Sequence, residues 1–412
     1  MYPRLEQLVE WIHVDVERVE RGRQRQAAVW RGERPDRVPI LLGRSESRQV
    51  ADRVGPQYLR LCEHQLRGGA PVPEYHDFEH STLGEQFDDP VAMLIESLWD
   101  ILGWARTPGD AQLSLRPNFG VGTVASLFGC RVQAGQHEMP WVVERPAREQ
   151  LLDIDPDASV QAGLMPRVRE FIQLACDVLK DIPQIHVFMP DLQGPMGTAF
   201  LLRQQDLFLD MVDDPAYFHR LLQTITDVFV RLSHRLKQDL GEPPDSGYHG
   251  SLYMADGGVR VVDDVSIMLS PEQYREFSLP YIRRGSRRQP AHECLEPFGG
   301  GWIHSCGNIA HLLDAYLDTP EIKGINFGEP EYYDFATLLP RFAAAGKFCY
   351  GGPVRKVGED VPDYLARVAA YLRGSPQTLI FMPRYSGQDM SEGDWPDPAC
   401  MLELWHSYCE AV

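Results

Sequence analysis

The sequence predicts an α/β fold, a (β/α)8 TIM barrel with an N-terminal helical extension. Beyond roughly residue 110, short β-like runs alternate with helical patterns. Alternation of this kind makes a parallel sheet with both faces covered. Eight such runs occur in all, the number that closes a parallel sheet into a barrel. The chain has 412 residues, 43% hydrophobic and 24% charged, enough for a large core. The expected division is residues 1–110 for the helical extension packing on the barrel and 111–412 for the barrel.

In chain order, the first hundred residues read as helical, interrupted by "RGERPDRVPILLG", where Pro39 introduces a brief apolar strand. The next strand candidates are "LSLRPNFGVG" (113–122), "IHVFMPDLQGP" (185–195) and "GYHGSLYMADGG" (247–258). "GWIHSCG" (301–307), "IKGINFGEP" (322–330), "KFCYGGPV" (347–354) and "TLIFMPRYSG" (378–387) complete the eight. Helices between them carry clear start and stop signals. Asp214 and Pro215 open one as N-cap and first turn, and Gly241 ends it after Leu240. After Cys306, Asn308 is an N-cap candidate, and Ile309, Leu312, Leu313, Tyr316 and Leu317 repeat at helical spacing.

Charge narrows the function classes. Forty Lys and Arg against 59 Asp and Glu leave −19, which argues against nucleic acid or an anionic membrane as partner. No apolar run is long enough to span a bilayer, and the charged, amphipathic start lacks the core of a signal peptide, so a cytoplasmic location is expected. The eight cysteines are scattered without a disulfide framework, as in a reducing compartment. No G-x-G-x-x-G, P-loop or G-x-S-x-G motif stands where a nucleotide or a nucleophile elbow would need it.

The sharpest constellation is His304-Ser305-Cys306 at a strand end. Residues two apart on a strand face the same way, so imidazole and thiol can reach one ion, and Gly307 lets the backbone turn away. Zn²⁺ accepts both donors and needs a third. Glu329 and Cys349, on the next two runs, are the candidates, Glu329 first because it sits at a turn. A packed thiol beside a carbonyl-bonded imidazole satisfies the same spacing.

Carboxylates gather in "YMADGGVRVVDDVSIMLSPEQY", where Asp256 or Asp264 is a candidate catalytic acid or base, with Asp263 alongside. Arg116, Asn118, Asp191, Gln193 and Tyr385 stand at other strand ends as candidate substrate contacts. Arg44 and Arg48, in "GRSESR", can hold a carboxylate-bearing ligand.

"RGERPDRVPI", "PDLQGPMGTAFLLRQQDLFLDMVDDPAYFHRLL", "DDVSIMLSPEQYREFSLPYI" and "IHSCGNI" together resemble the uroporphyrinogen decarboxylase superfamily, from about residue 25 to the end. The resemblance implies a barrel with its site at the C-terminal mouth, and a homodimer. Its cofactor-free decarboxylases carry R-Q-A-G-R, where this chain has "RSESR", and an F-S-D-I-L strand, where it has "RPNFGVGT". Its zinc-dependent methyltransferases, which work with corrinoid proteins, carry the H-x-C seen at His304 and Cys306. In those enzymes a further cysteine stands on the last strand, which here reads "FMPRYSG". The similar cobalamin-independent methionine synthases pair H-x-C with a glutamate on the next strand, a place matched by Glu329. The resemblance thus favours Zn²⁺, a small methoxy, amine or thiol substrate, and methyl transfer to or from a corrinoid partner or a thiol. Decarboxylation of a tetrapyrrole or other polycarboxylate is the alternative.

Overall fold

The computed structural model describes residues 3–42, 80–283, 293–384 and 397–410. Arg44, Arg48 and Tyr385 lie outside them. The chain is an α/β protein whose largest sheet has five parallel strands. These are β3 (Val259–Val262), β4 (Gly301–Ser305), β5 (Ile322–Phe327), β6 (Phe348–Gly351) and β7 (Leu379–Phe381), hydrogen-bonded in that order. A separate parallel pair joins β1 (Leu113–Leu115) to β2 (Ile185–Val187). Single bridges extend both arrangements. Ile40 pairs with Phe381 of β7, and Gln193, beyond β2, pairs with Val262 of β3. Asp110, just before β1, donates its N–H to the Ile40 carbonyl at 2.8 Å, and its carboxylate accepts from the Ile40 N–H at 2.9 Å.

One expected strand is something else. Residues 247–258 form an antiparallel hairpin, Gly247–His249 against Leu252–Met254. The turn between them places Gly250 at φ +58°, a region glycine adopts at no steric cost. The parallel strand follows instead as "VRVV", a β-branched run that the turn-rich "ADGG" had masked.

Helices flank the sheet as their patterns demand. Pro3–Trp11, Val16–Trp30 and Pro90–Arg106 fill the N-terminal part. The helix Pro215–Leu240 starts and stops where its punctuation says: Asp214 accepts from the Tyr217 N–H, and Gly241 closes it in the left-handed region at φ +68°. After Cys306 the order is a 3-10 turn, Ala310–Leu312, and then a short helix, Leu313–Leu317. Asn308 accepts from the Ala310 N–H at 3.0 Å. Among the described residues no helix is long and apolar enough to cross a membrane.

Two apolar clusters divide the interior. The larger lies between strands and helices and includes Ile303, Ile325, Cys349 and Leu379. The smaller gathers Trp30, Leu41, Trp302, Phe348, Tyr350 and Ile380 on the other side of the same strands. Strand alternation makes this division, because successive residues face opposite ways.

Lys347 precedes β6 with its ammonium donating to the carbonyls of Thr319 and Ile322, which fastens β6 to the start of β5. Burial lowers its pKa to about 8. Below that value the folded chain carries the full cost of the buried charge. As pH rises from about 8 toward the ordinary lysine value of about 10.4, the unfolded chain holds a proton that the folded chain lacks. Stability to urea is therefore expected to rise across that window in the wild type and to stay flat in Lys347→Met. Identical profiles would refute the assignment.

Candidate metal centre

β4 delivers His304 and Cys306 to its C-terminal end. Ile303 packs in the large cluster and Trp302 in the small one, so His304 shares the side of Trp302. Register carries this across the sheet: His304 lies opposite Asn326, Ile303 opposite Ile325, and Ile325 opposite Cys349. Cys349 thus shares the face of Ile303, and the pleat turns it away from His304. It is fully buried, which pushes its thiol up to about 12.

Three donor atoms converge. The Nε2 of His304 stands 3.6 Å from Sγ of Cys306 and 3.9 Å from Oδ1 of Asp264. All three lie within 4.8 Å of one another. A tetrahedral zinc with bonds of about 2.0–2.3 Å holds its donors roughly 3.3–3.8 Å apart. The 3.6 Å separation from Cys306 lies in that range and the 3.9 Å separation from Asp264 just beyond it, and imidazole, thiol and carboxylate are donors zinc accepts. All three residues are partly exposed.

The imidazole is oriented from behind. Asn326 donates its amide N–H to the Tyr350 carbonyl at 2.6 Å, which fixes the amide and turns Oδ1 to His304 Nδ1, also at 2.6 Å. Nδ1 must therefore carry the proton, and the Nε2 lone pair points at Cys306 and Asp264. Burial and the Arg260 charge hold the His304 pKa below its ordinary value, so the ring is neutral and able to ligate. Burial, with Asp264 and Glu329 nearby, pushes the Cys306 thiol up to about 11. Replacing Asn326 with alanine is expected to weaken metal binding by about 10–100-fold. Competition against a chromophoric chelator reads this, and unchanged affinity would show that the amide does not orient the ring.

Asp264, expected as a catalytic carboxylate, is the third candidate donor and also accepts from the Cys306 N–H at 2.7 Å. Glu329, expected in that position, instead accepts from the Gly307 N–H. Tyr333 tightens the same loop, donating to the Gly307 carbonyl at 2.9 Å and accepting from the Ile309 N–H at 2.8 Å. Asp263 points the other way, into a buried nest of hydroxyls from Ser266, Tyr274 and Tyr316. Burial raises its pKa to about 6 against those donors. Asp256 is not at this end. It precedes β3, is more than half exposed, and pairs with Arg31 at 3.0 Å.

Beside the three donors lies a second polar group. Asp191 contacts Arg260 at 3.1 Å and Arg116 at 3.3 Å. Burial pushes its carboxyl up, but the charges of Arg260 and Arg116 outweigh this and hold it at about 2. Gln193 is buried and bridges to β3, with its Oε1 against Gly197 of the following helix. Asn118 donates its backbone N–H to Met93 Sδ at 3.1 Å, and its side-chain oxygen is buried without a donor. Sequence reasoning missed Asn326, Arg260 and His249. The signal for the first two was present: Asn326 inside the apolar end of "IKGINF" and Arg260 inside "VRVV".

No protein-family profile and no curated protein matches this chain. A solved structure does: a methyltransferase from Methanosarcina mazei superposes with a TM-score of 0.58 at 16% identity, covering 94% of this chain and 98% of that one. The two share a fold.

Proposed function

We propose that this chain is a zinc-dependent methyltransferase of the uroporphyrinogen decarboxylase superfamily. It would move a methyl group between a small methoxy, amine or thiol compound and a corrinoid protein or thiol. The observation that carries this is the convergence of His304 Nε2, Cys306 Sγ and Asp264 Oδ1 at the end of one strand pair. In this reading the eight parallel segments, from Ile40 to β7, close into a barrel whose C-terminal mouth holds the site, where loop residues can change with substrate. The likeness to a methyltransferase fold supports it. The protein is proposed to be a cytoplasmic homodimer.

Bound by these three donors, zinc supplies Lewis acidity that keeps a substrate thiol ionised or stabilises a departing oxygen or nitrogen. The residues do the positioning. Asn326 holds the imidazole in one tautomer, and Asp264 clamps the Cys306 backbone while offering an oxygen. Glu329 and Tyr333 stiffen the Gly307 turn, so that the thiol is presented at a constant angle. Preorganisation of this kind spares reorganisation during reaction.

Elemental analysis of the purified protein tests the reading. Stoichiometric zinc is expected in the wild type and its loss in Cys306→Ser, together with loss of methyl transfer to a cob(I)alamin-loaded acceptor. Zinc content that is negligible and unaffected by the substitution overturns it. Release of CO₂ from a polycarboxylate, resistant to chelators, would point to the decarboxylase alternative.

A further inference from the structure

The mechanism above leaves two guanidinium groups without a task. Arg260 lies on β3 opposite Trp302, two positions below the level of His304 on β4. With strands about 4.8 Å apart and a rise of about 3.3 Å per residue, its Cα stands about 8 Å from that of His304. The guanidinium is held over the Trp302 ring at 5.5 Å, and Nη1 reaches Asp191 and His249. Its Nε is buried without an acceptor. Arg116 approaches the other oxygen of Asp191 through Nη1 and remains 26% exposed.

The charges do not cancel. Asp191 contributes one negative charge against two fixed positive ones. His249, partly buried and 3.5 Å from Arg260 Nη1, is held well below its ordinary pKa by desolvation and by those two charges, and it adds nothing. Asp191 alone thus leaves one positive charge over, with the Arg260 Nε unpaired, and the next carboxylate felt by Arg260 is Asp264, one of the three candidate metal ligands. An arginine presents five N–H donors in a planar fork that matches a carboxylate.

We infer that Arg116 and Arg260 bind the carboxylate of a short substrate whose other end reaches the His304–Cys306–Asp264 donors. The inference deepens the proposed function and rests on it for the identity of that other end. It narrows the substrate class to small carboxylates bearing a thiol, methoxy or amine group a few bonds away. Hydrogen bonds that involve a charged partner are stronger than neutral ones, so a carboxylate should bind about 10–100-fold tighter than the matching alcohol.

Calorimetry on the full-length, zinc-loaded protein compares mercaptopropionate with mercaptopropanol. A preference for the acid of that size, abolished in Arg116→Gln and partly kept in Arg116→Lys at unchanged zinc content, supports the inference. Equal affinities in the wild type, or a preference that survives Arg116→Gln, overturn it. The wild-type comparison decides even if a variant fails to fold. Plain propionate, titrated into chelator-treated protein, separates the two readings. Binding lost in Arg116→Gln supports the carboxylate site even where zinc proves absent, and no binding counts against it whatever the metal content.

Discussion

Replacing Asp191 with leucine is expected to destabilise the fold by about 3–5 kcal/mol, because removing one member of a buried ion pair strands the others. Asp191 and Arg260 are each only 14% exposed. Without the carboxylate, Arg260 and Arg116 would face each other across a neutral His249 with no counter-charge. Urea denaturation reads the loss. A second change, Arg260→Met, should restore part of it, since two apolar groups cost less than one unpaired charge. A loss below about 1 kcal/mol in the single variant would show that water or movement already relieves the charges. The same pair sets a pH dependence. The Asp191 carboxyl is held at about 2 in the folded chain, against about 3.9 for an ordinary aspartate. Its stabilisation is therefore complete above about pH 4 and is lost as pH falls toward 2. Asp191→Leu should lack that acid limb.

If the proposed zinc site is real, Gly328→Val abolishes its metal binding while the fold survives. A Cβ at Gly328 would sit 2.9 Å from both Cα and Sγ of Cys306. The first of these is backbone, so the contact cannot be relieved by a side-chain rotation. The backbone of Gly328 is not in the left-handed region, so the added side chain acts through steric conflict with Cys306 alone. Overpacking of this kind costs about 1–3 kcal/mol, and displacing a ligand should cost more affinity than the ~10–100-fold typical of an outer residue. Gly307→Ala is the comparison that loads the turn beside Cys306, and its loss of metal should be the smaller. Its φ is +75°, and its Cβ would meet only the flexible end of Ile267 at 2.9 Å, so it strains the turn without touching the thiol. Metal content and urea midpoint together distinguish the two. Stoichiometric zinc in Gly328→Val would mean that Cys306 is not a ligand.

Sequence alone determined the alternation of strand and helix, the punctuation of the long helix by Asp214 and Gly241, and the same-side placement of His304 and Cys306. Each follows from local rules, because caps, turns and strand pleat depend on residues a few positions apart. Tertiary structure alone decided that Asp264 comes within reach of His304 and Cys306 and that Asn326 orients the imidazole. It also decided that Cys349 faces away and that Asp256 lies at the opposite end of its strand. Those outcomes depend on register between strands distant in the chain and on a hairpin that shifts which run enters the sheet. A shift of one residue in such pairing reverses every side chain, and nothing within a single strand specifies its neighbour's register.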